Sequence, residues 1–573
     1  MSLVDTITIL DQDFKAFSKA FMSGEFAIWM GSGISRNSPN LGDLITRAIE
    51  HLRLKAIAEN GDSPFRKALR EALSFTQFDI SELEPNFDLE FQNWPKYNDI
   101  IQKLWYQYSD ILGILVDGEA SDYILWNAVD VRDAFVGKQD PCCEHICIAI
   151  LILEGAITRL ASANWDGCLE NAIQQITTSS EGILQVVVNP NQLRDPPCLA
   201  TLLKFHGCIV HASEDPENYR SFLTATDIDI LEWADREDLK AINQELINLA
   251  VGKKTMTAGL SLQDTNLQQV FSKAKATLKW SWPSEPSVLV FCEESGIKDG
   301  QKKALKIAYG NDEFSNHQGD IIKKSQLESW PDKVLVGMVL KLILNKLLIL
   351  AEHSLDGNKL KNEFTFLANG LTEFQQEIAK KAVGNLYDFV VSAISSWSRL
   401  VTLFRSGVLP ENISLYHEVS RSPLPSLISD SNATASGFGE MAIGLSLFGG
   451  CISSNNWKIG SPESTDISAG AFTCTGGWAG SVKTRIFFVK SATEALMLKK
   501  SGGLAERNTV VVHSDDAWLQ FNAGSSRRST RNPGGSVGRD GNYEARHISL
   551  KELIDNASNY ADVKMKFVEA VTI

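Results

Sequence analysis

Residues 26–44, with the sequence FAIWMGSGISRNSPNLGDL, constrain the possible fold more than any other stretch of the chain. Five apolar residues lead directly into a Gly-Ser-Gly-Ile-Ser turn, and an amphipathic helical pattern follows. A short apolar run of this kind is typical of a parallel strand that is covered on both faces. Glycines let a ligand approach the backbone, and the N-terminus of a following helix attracts phosphate. The stretch therefore predicts a strand, a turn and a helix, and the turn is either a phosphate site or an ordinary tight turn.

The composition limits the number of domains and the classes of partner. A chain of 573 residues is too long for one hydrophobic core, which predicts two large domains, or one large and two small. The formal net charge of −15 argues against direct binding to a nucleic-acid backbone or an anionic membrane. Nine cysteines without a Cys-x-x-Cys pair indicate neither a disulfide framework nor a zinc ribbon. The acidic N-terminus lacks the basic region of a secretory signal, so we expect a cytoplasmic protein.

The most apolar segment, residues 334–351, is not predicted to cross a membrane. Lys341, Asn345 and Lys346 interrupt it, and each of these side chains would be costly in hydrocarbon. The segment is instead predicted to be a buried helix or a subunit interface. It favours a homo-oligomer or a stable heterocomplex over a monomer.

A helical insertion over the first sheet is predicted at about residues 60–136. Before it, apolar residues recur with the helical period from Leu41 to Leu52, and Asn40 is placed to cap this helix. The insertion itself is rich in aromatic and acidic residues. We interpret the aromatic residues as the core of the insertion rather than as a cage for a ligand.

Two polar turns follow apolar runs in the next part of the chain. Asn164 and Asp166 lie in the turn ANWDG, at the end of the strand predicted at residues 157–163. His206 lies in KFHG, in an apolar run that begins at residue 201. Open α/β sheets bind ligands at the carboxyl ends of their strands, so the positions of both turns indicate a site. An isolated His-Gly pair is also typical of a structural loop, and that alternative stays open.

A further unit of strand, turn and helix is predicted at residues 254–271, KTMTAGLSLQDTNLQQVF. Its turn contains Gly259, Ser261 and Asp264. Asp264 is placed either to contact a ligand or to cap the following helix, and of the two we favour capping.

The four turns together carry a family resemblance. In chain order the motifs are GSGIS, ANWD, KFHG and GLSLQD, each at the end of a predicted strand. This order resembles the sirtuin-like nucleotide-binding domain over about residues 14–310. Four motifs in the family's order form a far more specific signal than any one of them. The resemblance implies a Rossmann-like, parallel α/β sheet.

Two departures from the family pattern indicate which branch the chain resembles. Sirtuins that deacylate proteins carry GIPDFR after the first turn and two Cys-x-x-Cys pairs after the His-Gly. Here residues 36–43 read RNSPNLGD, and neither cysteine pair is present. The chain is therefore similar to the zinc-less, sirtuin-like NAD-cleaving effectors of prokaryotic antiphage systems. This similarity implies NAD as the substrate and no zinc.

The resemblance also implies a role for each matched residue. Asn164 would hold the ribose hydroxyls or the attacking water, His206 would accept a proton, and Asp166 would order the nicotinamide end of the pocket. The first turn would hold the pyrophosphate, and the late turn would meet the adenosine side. The residues implied in binding NAD are Gly31, Ser32, Gly33, Ser35, Gly259, Ser261 and Asp264.

The chain is predicted to divide into three regions. A sirtuin-like domain occupies residues 1–315, a helical region 316–410, and a C-terminal mixed α/β domain for sensing or partner binding 411–573. Residues 302–309 are predicted as the last strand of the first sheet. The arginine-rich segment 525–547 is interpreted as a mobile loop or as an arm for phosphate or an acidic partner.

The function that the resemblance implies is an NAD glycohydrolase that releases nicotinamide and ADP-ribose, as the toxic effector subunit of an antiviral complex. Activation by a partner is expected, because an unregulated NADase would poison its host. An Argonaute-like protein, an ATPase and a nucleotide-sensing subunit are all compatible activators. Two alternatives stay open: a regulatory module that binds NAD or ADP-ribose without cleaving it, and an ADP-ribosyltransferase.

Overall fold

The computed structural model of the chain describes residues 1–59, 61–278, 280–462, 464–476, 483–504, 508–515 and 545–571. These residues form two β-sheets, each packed against helices. Most of the arginine-rich segment 525–547 lies outside the described residues, so the two interpretations of that segment stay predictions.

The first sheet has six parallel strands in the order β3-β4-β2-β1-β5-β6. The strands are β1 (Phe26–Met30), β2 (Arg159–Ser162), β3 (Leu184–Val187), β4 (Ala200–Lys204), β5 (Lys254–Ala258) and β6 (Leu289–Phe291). Parallel neighbours need crossover connections, which helices supply here. The sheet confirms the predicted Rossmann-like α/β fold.

Side chains of β1 alternate between two hydrophobic cores. Phe26, Ile28 and Met30 pack on one face of the sheet, whereas Ala27 and Trp29 pack on the other. Both faces are covered, which explains why every residue of the strand is apolar. The helices that contribute to the first core are Leu3–Asp11, Lys15–Met22, Cys143–Leu153, Cys168–Ile176 and part of Pro331–Ser354. Those that contribute to the second are Lys240–Gly252, Thr265–Thr277, Asp299–Tyr309 and Asn311–Ser325.

The prediction of a last strand at residues 302–309 is wrong. This segment belongs to the helix Asp299–Tyr309. Ala304, Leu305 and Ala308 are buried there, and their spacing of one, three and four residues is that of a helical face. The sheet ends instead at β6.

The helical insertion packs against the helix Leu41–Ala58 in a hydrophobic core separate from the two on the faces of the sheet. The longer helices of the insertion are Pro64–Ser74 and Tyr97–Leu104. The predicted cap is confirmed: Asn40 Oδ1 accepts a hydrogen bond from the Asp43 N–H at 3.1 Å, and the Asp43 carboxylate accepts one from the Asn40 N–H at 2.9 Å. Phe87, Phe91, Trp94 and Trp126 are buried in this core. The aromatic residues therefore mainly fill the insertion, with Trp105 as an exposed exception.

The long apolar helix Pro331–Ser354 joins the two halves of the molecule. Among the described residues it alone has the length and composition of a membrane-crossing helix, and 67% of its most apolar window is buried inside the protein. The Lys346 ammonium and the Glu154 carboxylate form an ion pair of 2.7 Å in which both side chains are fully buried. The predicted buried helix is confirmed, and the charge of Lys346 is neutralised by Glu154 inside the protein.

The second sheet is mixed, with the order β11-β10-β9-β8-β7. Its strands are β7 (Lys458–Gly460), β8 (Phe472–Thr475), β9 (Thr484–Val489), β10 (Thr509–His513) and β11 (Arg546–Ser549). The pairs among β9, β10 and β11 are parallel, and those among β7, β8 and β9 are antiparallel. The longer helices of this half are Phe364–Ala379, Leu386–Ser406, Phe438–Asn455, Ala492–Lys500 and Tyr560–Val571. A C-terminal mixed α/β fold is thus confirmed.

Candidate functional site

Four turns emerge together at the carboxyl edge of the first sheet. Met30 at the end of β1 pairs with Ser162 of β2 and with Ala258 of β5. Ser162 pairs in turn with Lys204 of β4. Every site residue predicted from the sequence follows one of these four strand ends. The sheet therefore brings the four motifs to the edge where open α/β sheets bind ligands.

The glycine turn after β1 packs directly against the turn after β5. The Gly31 N–H donates to the Ala258 carbonyl at 3.0 Å, and the Gly33 N–H donates to the Gly259 carbonyl at 3.1 Å. A Cβ on Gly31 would lie 2.5 Å from the Gly259 oxygen, so the contact requires glycine. Both N–H groups are engaged within the protein. Ser32, in the same turn, is exposed to solvent.

Ser35 lies at the centre of a buried polar cluster. Its Oγ accepts a hydrogen bond from Asn164 Nδ2 at 3.0 Å and lies 3.3 Å from His145 Nε2. All three side chains are buried. Ser35 is therefore separated from the exposed part of the glycine turn, and it contacts the residue predicted to hold the ribose.

Asp166 adds a negative charge to this cluster. Burial opposes ionisation, but the neighbouring His145 and Lys204 and a hydrogen bond from Ser35 lower the pKa of Asp166 below its usual value. The Cys168 N–H also donates to Asp166 Oδ1 at 3.1 Å. Burial lowers the pKa of His145 to about 4. At neutral pH the cluster thus holds an ionised carboxylate and a neutral imidazole.

The buried Lys204 ties the ends of β2 and β4 together. Its ammonium donates to the backbone carbonyl of Asp166, forms an ion pair of 2.6 Å with Glu170, and lies 3.4 Å from Cys208 Sγ. Burial favours the neutral amine, but Cys208, Glu170 and Asp166 raise the pKa of Lys204 above its usual value. The lysine is a structural cation beneath the site, and it fixes the backbone from which Asp166 projects.

His206 is buried and held in one orientation by Asn266. The Asn266 Nδ2 lies 2.9 Å from His206 Nε2, and Asn266 Oδ1 accepts from the Leu267 N–H at 2.7 Å. An amide nitrogen only donates, so Nε2 is the acceptor and Nδ1 carries the proton of the neutral ring. Burial lowers the pKa of His206, and Asp264 opposes that effect. The imidazole is thus neutral at physiological pH.

Asp264 does not cap the following helix, so the favoured prediction for this residue is wrong. It occupies the position before Thr265–Thr277, but its side chain makes no capping hydrogen bond. Its charge instead acts on His206 and on Tyr108, whose pKa rises to about 12 through burial and this carboxylate. Asp264 is half-buried, as is Ser261 in the same turn. The carboxylate therefore remains available to a ligand.

Sequence reasoning missed several members of the site. Arg36 donates two hydrogen bonds to the buried Glu144, at 2.6 and 2.8 Å. Burial raises the pKa of Glu144 despite this contact. Glu144 and His145 stand in the first turn of the otherwise apolar helix Cys143–Leu153. Two ionisable residues at the start of an apolar helix were the sequence feature that could have indicated their place in the site. Asn266 and Lys204 also lie within or beside the four motifs, and the motif pattern assigned no role to either residue.

One group of possible metal ligands lies inside this cluster. The ligand atoms of His145, Asp166 and Cys168 all lie within 4.8 Å of one another and are buried. Burial raises the pKa of Cys168 above its usual value, so its sulfur is a thiol, and Ser38 Oγ lies 3.4 Å from it. A bound zinc ion would itself deprotonate a coordinating thiol, so this pKa shift does not bear on metal binding. The expectation of no zinc stays a prediction.

The comparison with protein families agrees with this geometry. A family model described as "SIR2-like domain" matches residues 158–313. The matched segment includes β2 to β6, with Asn164, Asp166, His206 and the turn after β5. No curated protein matches the chain. The match supports a sirtuin-like domain in this chain, and SIR2-like domains bind NAD. An NAD-dependent enzyme activity is consistent with both the family and the site.

Proposed function

We propose that the protein is an NAD glycohydrolase that converts NAD and water into nicotinamide and ADP-ribose. The observation that carries the proposal is the buried polar edge of the first sheet. Asn164 and His206 each stand two residues after paired positions of adjacent strands, Ser162 of β2 and Lys204 of β4. The ionised Asp166 lies in the same cluster as Asn164. A carboxamide can hold a ribose hydroxyl, a carboxylate can stabilise developing positive charge and an imidazole can accept a proton.

The chemistry follows from the bond that breaks. As the bond between nicotinamide and the ribose C1′ lengthens, its electron pair leaves with nicotinamide and positive charge develops on the ribose. The carboxylate of Asp166 would stabilise that charge in a site shielded from bulk water. Asn164 would hold a ribose hydroxyl or the attacking water. A water oxygen then bonds to C1′, which yields ADP-ribose.

His206 would take the proton that the water loses. Its ring is neutral, and its Nε2 has the lone pair that accepts from Asn266. A substrate hydroxyl or the water would replace the Asn266 amide at Nε2, after which the proton moves to the ring. Asn266 is thus proposed to hold the imidazole ready between turnovers.

The remaining residues divide between binding and positioning. We propose that Ser32, Gly31 and Gly33 line the pyrophosphate, and that the turn after β5 meets the adenosine side. Ser35 is proposed to position Asn164, which revises its expected role as a pyrophosphate ligand, because its hydroxyl is buried in the hydrogen bond from Asn164. Asp264 would bind a ribose hydroxyl through its free carboxylate.

We further propose the biological role that the motif pattern suggests: a toxic effector of a cytoplasmic antiviral complex in prokaryotes, held inactive until a protein subunit responds to infection. The support is the resemblance of the four motifs and the absence of the deacylase sequence features. The C-terminal half would receive the signal. An Argonaute-like, ATPase or nucleotide-sensing subunit remains the proposed class of partner.

The test is to incubate the protein with NAD, with and without candidate activating subunits, and to quantify nicotinamide and ADP-ribose by chromatography. The proposal expects equal amounts of both products from the wild type and a large loss for Asn164→Ala and His206→Ala. His353→Gln, at a solvent-exposed ion pair, is the matched control and should retain full activity. Nicotinamide release with ADP-ribose attached to a macromolecule would instead favour transfer. Full hydrolysis by His206→Ala would refute the assigned chemistry.

A further inference from the structure

A cavity lies apart from the four turns at the carboxyl edge of the first sheet. Its volume is about 480 Å³, and none of its lining residues belongs to those turns. Its walls come from the helices Cys143–Leu153, Pro331–Ser354, Phe364–Ala379 and Leu386–Ser406, and from β7 and β8. It thus opens where the first sheet's helices meet the C-terminal half. The volume is within the range of pockets that hold small organic ligands.

The wall of this cavity is mainly apolar. Aliphatic and aromatic side chains from several elements contribute, and examples are Val339, Leu344, Leu371, Phe389, Leu400 and Phe472. The exposed residues Val383 and Asn385 lie at its mouth. A cavity of this kind favours the hydrocarbon part of a ligand over water.

One polar side chain in the wall has an unused donor. Gln375 is 6% exposed and lines the cavity, and its Nε2 has no hydrogen-bond partner among the described residues. Buried donors are nearly always paired, because leaving one unpaired is unfavourable. The Nε2 atom is itself closed to solvent, so a ligand oxygen would reach it once the Gln375 side chain turns toward the cavity that it lines.

A cation stands at the mouth of the cavity. The Lys381 ammonium forms no ion pair or hydrogen bond with any part of the chain that the structure describes. Burial lowers the pKa of Lys381, and the charge of Glu377 opposes that effect. Two acidic residues are close in sequence: Glu377 pairs with Lys380 at 3.2 Å, and Asp388 lines the mouth. Asp388 lies in the first turn of its helix, where the helix dipole offsets its charge. Lys381 is thus the cation available to a ligand.

We propose that this cavity binds a small acidic amphiphile, with an apolar body against the cavity wall and one carboxylate at its polar end. The carboxylate would accept a hydrogen bond from Gln375 Nε2 and contact the ammonium of Lys381. An apolar body suits the wall, and an anionic end suits an amide donor and an ammonium that line the same cavity. This site does not depend on the proposed NAD chemistry, because binding is measured without NAD.

The test is calorimetric titration of the full chain with monomeric decanoate, below the concentration at which decanoate aggregates. The expected result is one molecule bound per chain. Decanol and decyltrimethylammonium, which share the tail but lack the anion, should bind at least about tenfold more weakly, the range of a hydrogen bond to a charged group. Failure of the wild type to bind decanoate would overturn the proposal, as would equal binding of the three compounds.

Variants locate the bound molecule. Lys381→Glu should weaken decanoate binding by about tenfold or more. Lys380→Glu makes the same charge change one residue away, on a side chain that does not line the cavity, and should leave binding within about twofold. Ala393→Phe fills the cavity and should abolish binding. Equal effects of the two lysine variants, or undiminished binding to a folded Ala393→Phe protein, would place the ligand elsewhere and overturn the proposal.

Discussion

The two sheets of this molecule both carry an imidazole and a carboxylate at a parallel strand end, yet they differ in what surrounds those groups. In the first sheet, four strand ends contribute, and His206 receives a hydrogen bond from Asn266. In the second sheet, His513 Nδ1 lies 3.3 Å from Asp515, and His513 Nε2 lies 3.4 Å from His547 Nδ1. Burial and His513 lower the pKa of His547 to about 3.

The difference lies in the groups that the described residues bring together at each edge. The first edge combines an amide, an ionised carboxylate and a neutral imidazole with two glycine turns that pack against each other. The second edge brings two stacked imidazoles together on the neighbouring strands β10 and β11. In this sheet β8 runs antiparallel to both β7 and β9. Convergence of several strand ends, rather than any single motif, makes the first edge the candidate for catalysis.

The largest expected effect is on the rate of NAD hydrolysis, and its absence would contradict the difference between the two edges. His206→Ala should lower nicotinamide release by about 10²- to 10⁴-fold, the range for losing a general base. His513→Asn in the second sheet should leave the rate per folded molecule unchanged. The measurement is the initial rate of nicotinamide formation by the activated protein, with folded protein quantified by circular dichroism. A comparable loss in both variants would mean that the two edges do not differ as described.

The next effect concerns the connection between the two regions. Lys346→Met would leave the fully buried Glu154 without its ion-pair partner, and removal of one partner from such a pair costs about 3 to 5 kcal/mol of unfolding free energy. The surface pair of Lys254 with Glu25 is the matched control, and Lys254→Met should cost less than about 1 kcal/mol. Urea denaturation measures both. Similar values for the two variants would contradict the account of the buried pair.

A smaller effect on stability tests how the glycine turn after β1 packs against the turn after β5. Gly31→Ala places a Cβ 2.5 Å from the Gly259 carbonyl, so we expect a loss of about 1 to 3 kcal/mol in the free energy of unfolding. Gly319→Ala is the control, since nothing lies within 4 Å of its added Cβ and the position is helical. That variant should be neutral or slightly stabilising. If Gly31→Ala is equally neutral in urea denaturation, the two turns are not packed as described.

The smallest expected effect is on pH dependence. His206 must be neutral to accept a proton, so activity should fall as the pH drops through its pKa, which burial holds below the usual histidine value. Asp264 raises that pKa, and Asp264→Asn should therefore shift the acidic limb to lower pH, by less than about one unit. The pH profile of kcat/KM measures the shift. A shift to higher pH would show that Asp264 does not act on His206 in this way.

Local features of the sequence were enough to predict much of the fold. The apolar run of β1, the cap at Asn40 and the strand ends before Asn164 and His206 each depend on neighbouring residues, and the structure has all of them. The prediction for residues 302–309 was wrong because a short apolar pattern fits both a strand and one face of a helix.

Contacts between distant residues were not predictable in the same way. Ser35 lies 110 residues from His145 and 129 from Asn164 in the chain, so its contacts in the buried cluster arise only in the folded sheet. Asp264 was expected to cap a helix because its position is that of a cap. The direction of its side chain follows from tertiary packing, which propensity does not encode.

The central claim is that the four turns of the first sheet form one dinucleotide pocket. Hydrogen–deuterium exchange of the wild-type protein with and without ADP-ribose, a product that cannot be hydrolysed at C1′ again, tests it most directly. The account predicts slower exchange in residues 31–35, 164–168, 206–208 and 259–264, with no change in residues 509–515 of the second sheet. Protection confined to the second sheet, or to a single one of the four turns, would contradict it.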